Sequence, residues 1–400
     1  MGLFFKNKHF DYQALRAIAT APVGQADICE IASTCNKIKN GDCISWCTEW
    51  KKTADRIRKF GEECLAAGFQ ISASESFLRA SNYYRTAEFY LNYGCDIDNM
   101  VKIDTLSTQC FNMAIQYGPY DIKPVEIPFE NKNLPGHFYY ANVGKSVPTI
   151  IAISGNDGNK EELYAIGISA IKRGMNCLIF DGPGQGESIR RRNIPFRYNY
   201  ETAVSPAVDF ALCDPSVDPD RIVLWGESLG GYFAPRAAAF ENRISVCVAN
   251  GGLYDCLSLN PDKRVSILHG IRKHATAFNC LVRLLMRMSV ALDWRFRHGF
   301  LTFHVNTPSE YVLGFEPYNM DHVASKISCP TLVIGNENDK KAWRNQAKIL
   351  YSALKCPKEY LYFTNQENAG SHCQTGCRSY ANDRIFNWIE KALTVRERKE

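Results

Sequence analysis

The sequence predicts an α/β protein, a mostly parallel sheet covered by helices on both faces, with a helical region ahead of it. Three observations carry that expectation. From residue 120 onward, short apolar runs alternate with helical segments, the pattern of buried strands joined by helical crossovers. From residue 11 to about 118, apolar residues recur at spacings of three and four with few strand-like runs, the period of helices that bury one face. Between about 256 and 325 the rhythm breaks into basic, aromatic-rich helical sequence. That stretch reads as a lid insertion over the carboxyl edge of the sheet, where ligands bind in open α/β folds. The expected organisation is a helical cap over 1–118 and a catalytic domain over 119–400.

Within the cap, Trp46–Leu65 and Ser74–Tyr93 read as amphipathic helices. VEIPFENKNLPGHFYYANVG then alternates, turns over Asn131–Gly136 and alternates again, the signature of a β-hairpin. The strands that follow are read at Thr149–Ser154, Asn176–Asp181, Ile222–Trp225, Val246–Asn250, Thr331–Gly335 and Glu359–Phe363. Helices between them begin near Lys160, Tyr200, Leu229, Gln346 and Asn382.

Composition narrows the function classes. With 46% hydrophobic and 22% charged residues over 400 positions, the chain can bury a large core and is not disordered. A net charge of +5, from 47 basic and 42 acidic residues, is too diffuse to suggest a nucleic-acid partner. The sixteen cysteines include no C-x-x-C pair, which argues against a zinc site. Several lie in apolar runs, such as Cys177 and Cys247, and read as reduced, buried thiols of a cytoplasmic protein. The opening MGLFFKNKHFDY has too short an apolar stretch for a signal peptide, and Lys6 stands where a myristoylation signal needs Ser or Thr. No apolar run is long enough for a membrane span.

The sharpest chemical feature is RIVLWGESLGGYFAPRAAAF. A short apolar strand runs into Gly226-Glu227-Ser228-Leu229-Gly230, and an Ala-rich helix follows. This is G-x-S-x-G in strand–turn–helix context, where glycines permit a strained turn that lifts the serine hydroxyl above the sheet. The helix start adds free N–H groups and positive dipole. A serine nucleophile needs a base and an orienting acid, in the order Ser, Asp, His for this arrangement. CPTLVIGNENDKKAW supplies Asp339 after a buried strand, and YLYFTNQENAGSHCQTG supplies His372 after the last one. Asp255, in ANGGLYD after the preceding strand, competes with Asp339 for the role of acid. Backbone N–H groups of Leu229 and of Asn156, in ISGNDGNKEELY, are the candidate oxyanion donors.

The glycine-rich FDGPGQGES, Phe180 to Ser188, matches no nucleotide-binding fingerprint. It is expected to line the approach to the site, with Arg190, Arg191 and Arg192 in a solvated loop behind it.

Taken together, ISGNDGNKEELY, FDGPGQGES, PDRIVLWGESLGGYFAPRAA, ENDKKAWRNQAKILYSAL and AGSHCQTG resemble one branch of the α/β-hydrolase superfamily, over roughly Ala80 to the C-terminus. That branch includes FrsA-like esterases, the 2,6-dihydroxypseudooxynicotine hydrolase of nicotine breakdown, and fungal hydrolases that shorten polyketide chains. The resemblance implies an α/β-hydrolase fold with a helical cap, and it places Ser228, Asp339 and His372 on the family's nucleophile, acid and base. Gly335-Asn336 departs from many relatives ahead of the acid loop. An oligopeptidase of the same superfamily would need a propeller before the hydrolase domain, and 118 helical residues cannot supply one.

The expected activity is that of a serine hydrolase using an acyl-enzyme, on an ester or on a carbon–carbon bond beside a ketone, without metal or organic cofactor. Aromatics in the two helical segments, Phe77, Tyr83, Tyr84, Trp294, Phe296, Phe300 and Phe303, suit an aromatic or polyketide-like acyl substrate if they line the pocket. Otherwise they pack helix against helix. The alternatives are a lipase or thioesterase for long-chain acyl groups, and a non-catalytic binding protein on the same fold. The expected partner is a small-molecule acyl or ketone substrate, with no nucleic acid. The oligomeric state is left open, a homodimer included.

Overall fold

A computed structural model describes residues 2–91 and 97–397. The chain divides into two compact units, Met1–Pro124 with Leu285–His298, and Val125–Leu284 with Gly299–Glu400.

The first unit is built from α1 (Lys8–Ile18), α2 (Ile28–Cys35), α3 (Cys43–Ala66), α4 (Gln70–Glu88) and α5 (Ile97–Tyr117). Side chains of Asn7, Asp27 and Asp42 accept the first free N–H groups of α1, α2 and α3, caps worth about 1 kcal/mol each. The helix expected over Ser74–Tyr93 is α4, and positions 92 and 93 lie outside the described residues. It is not amphipathic: nearly every residue from Ala73 to Glu88 is buried. Several of its polar groups survive burial because they find partners. Asn82 Nδ2 donates to the carbonyls of Ala17 and Gln25, and the Tyr83 and Tyr84 hydroxyls donate to Glu30 and Asp55. Phe77 packs against Gly61 of α3. Trp294 donates Nε1 to the Phe89 carbonyl and stacks on the Phe89 ring at 4.6 Å. Phe77, Tyr83, Tyr84 and Trp294 are therefore interior packing of this unit.

The second unit carries an eight-stranded sheet in the order β1-β2-β4-β3-β5-β6-β7-β8. The strands are β1 (Ile122–Phe129), β2 (Lys132–Tyr139), β3 (Val147–Ile153), β4 (Asn176–Phe180), β5 (Val217–Glu227), β6 (Ile244–Asn250), β7 (Thr331–Asn336) and β8 (Lys358–Phe363). β2 pairs antiparallel with β4, and the six strands from β4 to β8 are mutually parallel. The hairpin turn is tighter and earlier than expected. It falls at Glu130-Asn131, with Glu130 at φ 52°, so Asn133 to Gly136 lie inside β2.

Helices α6 (Tyr164–Ile171), α7 (Gly186–Arg190), α8 (Glu201–Leu212), α9 (Gly230–Ala238), α14 (Lys341–Ala353) and α15 (Arg378–Glu397) accompany the sheet. The insertion contributes α10 (Pro261–Lys273), α11 (Ala275–Met288), α12 (Val290–Phe303) and α13 (Pro308–Gly314). Strands β4 and β6 are buried at every residue, and each such Ile, Leu or Val side chain contributes about 1.5–3 kcal/mol. Phe196, Phe233, Phe303, Phe315 and Tyr318 form one aromatic cluster, which seats the end of the insertion on α9. Register brings Glu227 beside Asn250, and Asn250 beside Ile334. The carboxyl ends of β5, β6 and β7 therefore finish together, and the loops that leave them meet.

Among the described residues no helix is long and apolar enough to cross a membrane. Every described cysteine is a free thiol, while Cys95 lies outside them.

Candidate active site

Ser228 and Leu229 stand between the end of β5 at Glu227 and the start of α9 at Gly230. The φ of Ser228 is 59°, a left-handed conformation that costs a side-chain-bearing residue about 1–3 kcal/mol. Two bonds hold it there: Ser228 N–H donates to the Asn250 carbonyl at 2.8 Å, and Gly231 N–H donates to the Ser228 carbonyl at 2.8 Å. The turn also requires Gly226, because a Cβ at that position would lie 1.9 Å from the Gly230 carbonyl oxygen. The consequence is a half-buried hydroxyl at the carboxyl edge of the sheet, at the start of a helix.

His372 reaches this hydroxyl from the loop after β8. Its Nε2 lies 2.9 Å from Ser228 Oγ, and its Nδ1 lies 2.6 Å from Asp339 Oδ1. The imidazole is one-quarter exposed and the carboxylate only 7%. A substrate can therefore meet the ring while the acid stays out of water. The turn carrying the histidine is tight, with Cys373 at φ 46° and Gln374 at φ 54°. Cys373 Sγ lies 3.6 Å from Nε2, and the Trp343 ring centroid stands 5.6 Å from that of the imidazole. Asp255 does not approach the histidine. It pairs with Arg264 at 2.5 Å, and Gln346 accepts its N–H.

Such a chain can draw the proton from Ser228 Oγ while a carboxylate stabilises the imidazolium that forms. Burial works against a charged His372, but the Cys373 sulfur and the Asp339 carboxylate outweigh it and hold the ring well above its ordinary 6.5. The base form is neutral, so activity that depends on it should be lost as pH falls. On a neutral ester, kcat/KM should rise with pH along a limb whose midpoint lies above 6.5. The residual activity of Asp339→Asn should follow a limb displaced to lower pH, because the charge that favours the imidazolium is gone. A parent limb centred below 6.5 would contradict this electrostatic account.

Of the two candidate oxyanion donors, Leu229 directly follows Ser228 and caps α9. Asn156 lies in the loop after β3, next to Gly155. A Cβ on Gly155 would sit 2.6 Å from Ser228 Cβ and 3.0 Å from Oγ. Only a glycine lets that loop approach the hydroxyl so closely.

No family model matches the chain. The chain is 30% identical over 356 residues to the hydrolyase poxO of Penicillium oxalicum, covering 84% of each protein. It is 28% identical to the alpha/beta hydrolase psoB of Aspergillus fumigatus, over 98% of this chain and 94% of that one. The chain belongs to the α/β-hydrolase family. Its fold agrees with the crystal structure of 2,6-dihydroxy-pseudo-oxynicotine hydrolase at a TM-score of 0.72, with 19% identity over 95% of this chain and 96% of that one.

Sequence reasoning missed the polar layer beneath the site of this α/β-hydrolase. Asn336, the departure noted ahead of the acid loop, donates Nδ2 to Asp339 Oδ2 at 3.0 Å. That leaves Oδ1 for the histidine. Gln374 donates to Asn336 at 2.6 Å and exchanges two 3.0 Å hydrogen bonds with Asn250. Glu227, beside the serine, pairs with Arg378 at the start of α15. Glu227, Asn250, Asn336 and Gln374 are buried and hydrogen-bonded, so they rigidify the ends of β5, β6 and β7. The only sequence signals are Gln374 in AGSHCQTG and Glu227 in GES, and neither reveals its partner.

The hydrolase also corrects the expected solvated loop. Phe180 to Ser188 is buried throughout, and Arg191 and Arg192 both pair with Glu187. Lys160 is buried among Glu161, Asp181 and Glu187. Burial opposes its charge, but the three carboxylates outweigh that and hold it above its ordinary range.

Proposed function

We propose that this chain is a serine hydrolase that cleaves a carbonyl substrate through an acyl-enzyme. The observation that carries the reading is the unbroken hydrogen-bonded chain from Ser228 Oγ through His372 to Asp339, at 2.9 and 2.6 Å. In the first step Ser228 Oγ bonds to the carbonyl carbon as His372 Nε2 takes its proton. Asp339 fixes the tautomer and stabilises the imidazolium. The tetrahedral oxyanion lies against the N–H groups of Leu229 and Asn156. Collapse breaks the bond to the leaving group, an alkoxide from an ester or a stabilised carbanion from a β-diketone. His372 returns the proton to it. Water, deprotonated by the same histidine, then releases the acid and restores Ser228. A purely binding role would not need a complete relay of this kind. The exposed free thiols Cys29, Cys213 and Cys280 suit a reducing compartment such as the cytoplasm.

The substrate class proposed is an aromatic or polyketide-like acyl compound. Most of the aromatics that first suggested it are interior, so its structural support is Trp343, which is 36% exposed beside His372. An aryl group stacked there would gain about 1 kcal/mol over acetate. The test compares kcat/KM for p-nitrophenyl acetate, p-nitrophenyl benzoate, a long-chain ester and an aryl β-diketone. The aryl compounds should lead acetate by about fivefold, and Trp343→Ala should erase most of that lead. Preference for acetate, or an aryl preference untouched by Trp343→Ala, would defeat the proposal. A long-chain ester in front would favour a lipase or thioesterase.

A further inference from the structure

The loop Phe180–Ser188 matches no phosphate cradle and takes no direct part in the chemistry above, yet it is buried and extensively bonded. At its centre Gln185 is 1% exposed. Its Oε1 accepts the Gly182 N–H at 3.0 Å, while its Nε2 donates to the carbonyls of Ser154 at 2.5 Å and Gly155 at 3.1 Å. The amide can face only one way, because the reverse orientation would turn its oxygen toward two carbonyl oxygens. A second tie joins the same two loops. Asp181 accepts the N–H groups of Lys160, at 2.7 Å, and Glu187, at 3.0 Å.

The Gly155 carbonyl belongs to the same peptide unit as the Asn156 N–H. A trans peptide is planar, and its C=O and N–H point in opposite directions. Whatever holds the carbonyl therefore aims the N–H. That peptide adjoins the nucleophile, since Gly155 touches Ser228. Accepting a hydrogen bond at the carbonyl also polarises the amide and makes its N–H a better donor.

We propose that Gln185 is a positioning residue for transition-state stabilisation: by gripping the Gly155 carbonyl it orients the Asn156 N–H toward the oxyanion formed on the substrate. The assignment rests on the acyl-enzyme reading and on Asn156 as one of its donors. Gln185 touches no reacting atom. Its effect passes through one rigid peptide, so it acts on the transition state and hardly at all on the bound substrate.

Gln185→Glu tests this. It keeps the length and the acceptor for Gly182 N–H but replaces the donor with a carboxylate oxygen facing two carbonyls. Gln185→Met, of similar shape, removes both functions without adding charge. Each is assayed with p-nitrophenyl benzoate, with rates normalised to the Ser228 labelled to completion by a fluorophosphonate, so that only folded molecules count. Affinity is measured in parallel for an aryl trifluoromethyl ketone, which forms a tetrahedral adduct, and for the plain methyl ketone, which mimics the bound substrate. Both variants should lose about 10- to 100-fold in kcat with KM within about threefold of the parent. Trifluoromethyl ketone affinity should fall by the same factor as kcat/KM, while methyl ketone affinity is retained. A merely structural role would not separate the two ketones. Parent-like kcat in Gln185→Glu, or a loss confined to KM, would overturn the assignment. The two readings fail separately: an active, labelled Ser228→Ala protein would sink the acyl-enzyme mechanism. A dead Ser228→Ala beside a fully active Gln185→Glu would sink only the role of Gln185.

Discussion

Ser228→Ala is expected to abolish fluorophosphonate labelling and to lower turnover of activated esters by about 10⁶-fold, with the fold and Tm essentially unchanged. The size follows from the mechanism, since removing Oγ removes the bond-forming atom and leaves only binding and the oxyanion donors. Stability should hold because the elbow is maintained by backbone bonds from Asn250 and Gly231, which alanine keeps. The left-handed φ of 59° at this position costs alanine about what it costs serine. Intact-mass measurement after labelling, with a melting curve of each protein, checks both halves. A mutant that labels like the parent would mean that the nucleophile lies elsewhere.

Asp339→Asn is expected to lower kcat by about 10⁴-fold, whereas Asp255→Asn should cost far less. Asparagine at 339 cannot stabilise the imidazolium, and its amide can turn a donor toward Nδ1, which favours the wrong tautomer. Asp255 is engaged with Arg264 at 2.5 Å, so its loss loosens the start of the insertion rather than the base. Steady-state kinetics on one ester, at the pH plateau of each protein, distinguishes them. The reverse ranking would move the acid to the end of β6 and discredit the role of the β7 loop.

Ser228 and Asp339 differ in how plainly the sequence marks them. Ser228 is legible because the elbow is a local steric object: strand, glycine, serine, glycine and helix occupy one continuous stretch. Its requirement for Gly226 is met within four residues. Asp339 is harder, because Asp255 also follows a buried strand and lies in a comparable loop. The structure separates them through a partner for Asp255, Arg264, which sits in an insertion without strand or elbow signals. The hairpin was legible as a hairpin, but its turn was misplaced. Pro135-Gly136 looks like a turn, and only pairing of Gly136 with Phe180 of β4 shows that it is strand. Helix α4 was legible as a helix and misjudged as amphipathic, since serine, asparagine and tyrosine count as surface residues until their buried partners are known.

What the sequence by itself determined is therefore what short-range sterics and periodicity encode: the α/β order, the helical region, the elbow at Ser228, and a histidine after the last strand. What only the tertiary structure decided is which distant groups meet. His372 stands 144 residues from the serine it contacts and Gln374 124 residues from Asn250. The grip of Gln185 on Gly155 spans 30 residues and two loops. Hydrophobic period reports which face of an element is buried, but a side-chain hydrogen bond needs partners placed to within a few tenths of an ångström. That placement follows from strand order and register, through which the ends of β5, β6 and β7 finish together and carry their loops into contact.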